Sequence, residues 1–271
     1  MFLTNVKIAV ASLAVGAGWL AAAATIGLAQ EKRKARSAPP ALSAQSREIL
    51  AKLEKRVPMP FANETTLDDV LKYIRTSTPG KYQFGIPIYV DPAGLKIAKQ
   101  SLYSTITLDV ENAPLKETLP RVLQQLQLEF VVDDGVLFIS SPELIERERT
   151  EPAVVVKDDS TKTKLVLKSL DEPHRLPLTD ATTLEDLVKY VTQVTTGPDG
   201  PALSIEVDLH GLYNANCTMK STVQIELEGV PLRTGLRLAL KQLGLAFAVK
   251  DGTVVISSPN GIRKLKDEKK T

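Results

Sequence analysis

Two hydrophobic periods alternate along this chain, and the order in which they alternate is then repeated. In LDDVLKYI, apolar residues fall at Leu67, Val70, Leu71 and Ile74; in LEDLVKYV they fall at Leu184, Leu187, Val188 and Val191. Both are the spacing of one helical face. Thr66 with Asp69, and Thr183 with Asp186, have the spacing of a capping box, so each helix is predicted to start there. Asp69 with Lys72, and Asp186 with Lys189, add i,i+3 charge pairs. A period of two follows, at Ile86, Ile88 and Val90 and at Leu203, Ile205 and Val207, which predicts half-buried strands. Asp91 with Gly94, and Asp208 with Gly211, then read as turn residues.

The pattern continues with a second strand, TITLDV in one copy and TVQIEL in the other. A second helix follows behind Pro114 and Pro231, with its apolar face at Leu115, Leu119, Val122, Leu123 and Leu126 in the first copy. Pro120 predicts a kink or a tight first turn there, where the second copy has Arg237. Each copy closes on a hairpin around Asp-Gly, VVDDGVLFISSP at 131–142 and AVKDGTVVISSP at 248–259. With short strands at VPMPF and HRLPL, each copy reads β-α-β-β-α-β-β.

Thr65 to Pro142 lies on Thr182 to Pro259 without a gap, and a weaker match upstream pairs Leu50 with Leu167 and Pro60 with Pro177. The expected fold class is therefore α+β, with two tandem small domains after an N-terminal transmembrane or signal helix. The predicted boundaries are 1–30 for the anchor or signal peptide, 31–48 for a flexible spacer, and 49–142 for the first repeat. A charged linker at 143–166, with a short helix at its start, leads to the second repeat at 167–259 and a basic tail at 260–271.

Residues 8–29 contain no charge and are long enough to cross a bilayer as a helix. Gly27 and Ala29 also suit a signal-peptide cleavage site, so a retained anchor and a cleaved signal both stay open. Lys32, Arg33, Lys34 and Arg36 follow the span and only Lys7 precedes it, which by the positive-inside preference favours a cytoplasmic body. The rest is an ordinary globular composition, 43% apolar and 24% charged, with a formal net charge of +2 that does not call for an acidic polymer as partner. A single cysteine, Cys217, excludes an internal disulfide.

The element order, with LDDVLKYI followed by ITLDVENAPLKETLPRVLQQLQLEFVVDDGVLFIS, resembles the secretin and TonB short N-terminal domain and its relatives at the C-terminus of FecR-like regulators. The resemblance covers both repeats. It implies small extracytoplasmic docking domains, in a bacterial envelope, that act through protein contacts and carry no catalytic residues. The chain departs from the family setting in having no outer-membrane barrel or secretin ring and in carrying the domain twice, so transport and secretion do not carry over.

His174 and His210 occur in one copy only, and neither they nor Cys217 have partners at metal-ligand spacing. Phosphate-binding glycine loops, nucleophile elbows and zincin motifs are absent from the sequence. The expectation is a non-catalytic protein without metal or cofactor, binding a protein partner.

Where the copies differ most, PGKYQFG against TGPDGPA and KIAKQSLY against YNANCTMK, the candidate partner-binding residues are Lys81, Tyr82 and Phe84 in the first and Tyr213, Asn214 and Asn216 in the second. Strand addition at a sheet edge is an alternative contact. Competing readings are a small-ligand sensor with a pocket between the copies, and a nucleic-acid-binding tandem module. The latter is disfavoured because the basic clusters lie outside both repeats.

Overall fold

The computed structural model describes residues 43–80, 85–150, 160–196 and 203–267. The apolar run at 8–29 lies outside them; among the described residues no helix is long and apolar enough to cross a membrane. The architecture is mixed α+β, with small sheets flanked by helices.

In the first copy the order is α1 (Ala44–Leu53), β1 (Met59–Thr66), α2 (Leu67–Ser77), β2 (Ile88–Val90), α3 (Pro92–Ile97), β3 (Thr105–Val110), α4 (Leu115–Gln125), β4 (Glu129–Asp133), β5 (Val136–Ser140) and α5 (Pro142–Thr150). The second copy repeats it as α6 (Thr161–Asp171), β6 (Pro173–Thr183), α7 (Leu184–Thr195), β7 (Ser204–Val207), α8 (Leu209–Asn214), β8 (Thr222–Pro231), α9 (Leu232–Gln242), β9 (Ala246–Lys250), β10 (Thr253–Ser257) and α10 (Pro259–Asp267). Each copy has two small sheets. One is an antiparallel pair, β1 with β3 or β6 with β8. The other has three strands, β2-β5-β4 or β7-β10-β9, with the first pair parallel and the hairpin antiparallel.

The short helix expected at the start of the linker is present as α5, and each copy has further helices beyond the expected order. The first starts inside the segment read as a spacer, at Ala44, and its counterpart starts inside the segment read as a linker, at Thr161. Ser43 and Ser160 cap these helices through their hydroxyls. One turn later, Ser46 and Thr163 turn inward, buried, and accept the backbone amide of the hairpin glycine, Gly135 at 3.0 Å and Gly252 at 2.9 Å. These polar positions interrupt the apolar face, so hydrophobic periodicity alone does not find the helix. The last helices, α5 and α10, take up the start of the linker and most of the basic tail, and seat Ile145 and Ile262 in the interior.

The short helices α3 and α8 replace the expected turns. Asp91 and Asp208 are their N-caps, accepting from Ala93 and His210. Each carboxylate also accepts the hydroxyl of a serine on the last strand, Ser140 at 2.9 Å and Ser257 at 2.7 Å. Gly94 and Gly211 are helical residues, needed for close approach: a Cβ on either would lie 2.1 Å from that serine's oxygen. The helix starts form where predicted, with Thr66 and Thr183 accepting the amides of Asp69 and Asp186; the aspartate carboxylates accept the threonine hydroxyls and not the cap amides of a full capping box. Lys189 keeps its expected i,i+3 partner, Asp186 at 3.9 Å, but sits closer to Glu185 at i,i+4, 2.7 Å; Lys72 pairs with Asp68, also i,i+4, at 2.7 Å. Pro120 lies within α4, which continues through it from Leu115 to Gln125.

The core of the first copy lies among α1, α2, α4 and the inward faces of its sheets, with Met59, Leu67, Ile74, Leu119 and Leu137 fully buried. The second core is built alike, but it also includes Tyr89, Val136, Phe138 and Ile145 from the first copy. The copies therefore share an interior.

Gly94→Ala and Gly211→Ala are expected to destabilise the protein by about 1–3 kcal/mol each, the range for overpacking a tight contact. Chemical denaturation checks this, and an unchanged midpoint would remove the close-approach explanation.

Candidate functional site

The inter-repeat contact begins with strand β5. Leu137 and Ile139 point into their own copy, as strand alternation requires. Val136 and Phe138 point the other way, and all four are at most 2% exposed because the second copy covers that face. Tyr89, paired in register with Phe138 on the neighbouring strand, stacks on it with ring centroids 5.7 Å apart.

The cover is supplied by α9. Its inward residues, including Leu232, Leu236 and Leu240, fill the core of the second copy. A second stripe, Thr234, Arg237, Leu238 and Lys241, has the spacing of another face of the same helix. Lys241 places its ammonium 4.6 Å from the Phe138 ring centroid, and Gln242 donates to the Tyr89 hydroxyl at 3.2 Å. Arg237 reaches Asp133 at 2.6 Å. Arg233 bridges Asp134 at 2.7 Å and Asp171 at 3.0 Å, and Thr234 donates to the Asp134 carboxylate at 2.9 Å. Asp134 and Gly135 both have positive φ, 45° and 84°, so the turn presents the aspartate at its tip.

These residues escaped the sequence reading. A signal was present: the outward positions of the first sheet, Tyr89, Val136 and Phe138, become Glu206, Thr253 and Val255 in the second copy. The contrast between Pro120 and Arg237 was visible too, but it read as a local matter of helix geometry.

Of the candidate binding residues, Lys81, Tyr82 and Phe84 lie outside the described residues. Tyr213, Asn214 and Asn216 are brought together at the end of α8, all exposed. Tyr213 is 78% exposed and stands one helical turn from Leu209, itself 69% exposed. Asn216 has a local explanation, since its φ of 54° is matched by 55° at Lys99 in the first copy, a conformation that asparagine tolerates well. Behind the patch, Cys217 is buried and donates to the Leu212 carbonyl, and burial pushes its thiol pKa up. Among the described residues no cluster of three metal-ligating side chains occurs. The first copy exposes Ile97 and Tyr103 in the corresponding region.

Asp208 holds this short helix in place. The Ser257 hydroxyl and then the Gly211 amide keep its carboxyl below its ordinary range.

A cleft of about 290 Å³ opens between the copies, with Lys72, Arg75 and Thr76 on one side and Glu226 and Glu228 on the other. Its size is at the small end for ligand pockets. Lys72 and Glu228 are already paired, with Asp68 and Arg175 respectively.

No family model, curated protein or solved structure matches this chain.

Two outcomes are expected. Phe138→Ala should lower stability by about 3–5 kcal/mol while both copies still unfold in one transition, since they share a core. Tryptophan probes introduced singly in each copy check this, and separate transitions in the unsubstituted protein would contradict the shared interior. The lowered pKa of Asp208 means that its stabilising contribution is full above the unfolded carboxyl pKa and is lost as pH falls through the folded value. Asp208→Asn should therefore be less stable near neutrality, with the gap narrowing in acid. A gap independent of pH would contradict the assigned role.

Proposed function

We propose that this chain is a non-catalytic docking or signalling adaptor of the bacterial envelope, tethered by residues 8–29 and binding a protein partner through two tandem domains like the secretin and TonB short N-terminal domain. The reading places the domains outside the cytoplasm. The β-α-β-β-α-β-β order on which the likeness rests is contained within each copy, with helices added before, within and after it.

The observation that carries the proposal is the adjacent exposure of Leu209 and Tyr213 on α8. The tyrosine is of the type enriched at protein interfaces, and the leucine one turn away extends the exposed apolar area beside it. The helix beneath them is fixed by Asp208 and Ser257, so the pair is presented with little ordering left to lose on binding.

A second reading, a sensor of a small ligand, is favoured by the cleft between the copies, where Arg75 has a buried Nε without a partner among the described residues. A thermal shift with a small molecule, abolished by Arg75→Ala, would support this reading over docking.

Cross-linking in intact cells should recover a protein partner with the unsubstituted chain and lose most of it with Leu209→Ser/Tyr213→Ser, while thermal stability changes little. Undiminished recovery would count against the patch. Protease digestion of a C-terminal tag in spheroplasts tests the location separately: protection of the tag would place the domains in the cytoplasm and remove the envelope reading.

A further inference from the structure

The contact between the copies joins two different surfaces. The first copy gives the outward face of β2-β5-β4 and its hairpin tip, while the second gives the outer stripe of α9. Because both copies have the same fold, each carries a version of both surfaces. A head-to-tail contact of this kind does not close on itself, and the operation that places the second copy on the first could place further chains at either end.

The residues at the two remaining surfaces oppose that growth. On the second sheet, Glu206 stands in place of Tyr89 and is exposed, so a carboxylate replaces the ring that stacks on Phe138. Thr253 and Val255 replace Val136 and Phe138, so no ring stands on this face; Val255 is already buried, and Ala248, its register partner, packs against Ile262 of α10. At the hairpin, Lys250 replaces Asp133, reversing the charge that Arg237 binds.

The first copy's α4 is changed to the same effect. Arg121 stands in place of Leu238: the leucine is 1% exposed in the contact, whereas the arginine is exposed. Taking that guanidinium out of water at a position where the contact holds a leucine carries a desolvation cost that the leucine does not. Glu117 replaces Thr234, which donates to Asp134; the glutamate would instead face Asp251 as a like charge. Pro120 replaces Arg237 and has no group to offer the hairpin.

We propose that these exchanges close both ends of a repeat-docking contact that would otherwise extend, so that the pair inside one chain is a stack limited to two units. The α4 stripe of the first copy and the outward sheet face of the second reject further copies of this chain. The stack ends by charge and shape at its terminal surfaces, as end units of repeat arrays must when further stacking is unwanted.

The test uses the full chain in detergent, with mass measured by sedimentation across a range of concentrations. One variant opens the sheet end (Glu206→Tyr, Lys250→Asp, Thr253→Val, Val255→Phe). The other opens the helix end (Glu117→Thr, Pro120→Arg, Arg121→Leu). Each alone should keep the mass of the unsubstituted protein, their equimolar mixture should about double it, and one chain carrying both sets should grow past a dimer with concentration. If the sheet-end variant unfolds by circular dichroism, the exposed subset Glu206→Tyr with Glu117→Thr/Arg121→Leu makes the same comparison. Folded variants that never exceed the unsubstituted mass would overturn the proposal. So would an unsubstituted chain whose own self-association is abolished by Arg121→Glu.

Discussion

A sheet with two apolar faces has to be covered twice, and most of this structure depends on how the second cover is supplied. Strand β5 sends Leu137 and Ile139 into one core and Val136 and Phe138 into another. Apart from α9 and its neighbours, the second pair and Tyr89 would present a contiguous apolar surface to water, of the kind monomeric proteins rarely leave open. The stacked rings and leucine provide the area. The charged groups around them, Arg233 and Arg237 with Asp134 and Asp133, set where along the sheet the helix sits. These ion pairs are partly exposed, so their worth is in register more than in stability.

The same contact explains how two copies of one fold have diverged. Positions facing the inside of each copy keep their character: Leu67 with Leu184, Leu119 with Leu236, Ile139 with Ile256. Positions on the outer faces differ according to whether another copy covers them. Even small polar devices are kept, such as the threonine at the C-terminal end of each long helix: Thr78 and Thr195 accept the amide of the residue entering the next strand, Ile86 or Leu203. Both strand pairs also shift register at equivalent places, after Phe61 and after Leu178.

Much of each copy was legible from local sequence, because helix N-caps, strand alternation and an Asp-Gly turn act over a few residues. The mixed α+β class, α2, α4, the hairpins and their counterparts follow from those signals. Helices α1 and α6 were missed because Ser46 and Thr163 are buried by a hydrogen bond to a glycine far along the chain, a partner that no local window contains. Asp91 and Gly94 suggested a turn because aspartate caps and glycine bends are common there; the reason for the glycine is Ser140, again distant in sequence. The joint between the copies was the least legible feature, since it depends on which outward faces meet. For the candidate surface, the sequence indicated Tyr213 but not Leu209, which lies between the two stretches where the copies differ most.

The latch between α1 and the hairpin has a mechanical consequence. Tension on the chain ahead of Ser43 enters the fold through α1, where the Ser46 hydroxyl holds the amide of Gly135. The next residue back, Asp134, is gripped by Arg233 and Thr234 of the other copy. A pull from the N-terminal side is therefore delivered to the joint as well as to the first core, and the hairpin tip acts as a coupling pin between α1 and the second copy.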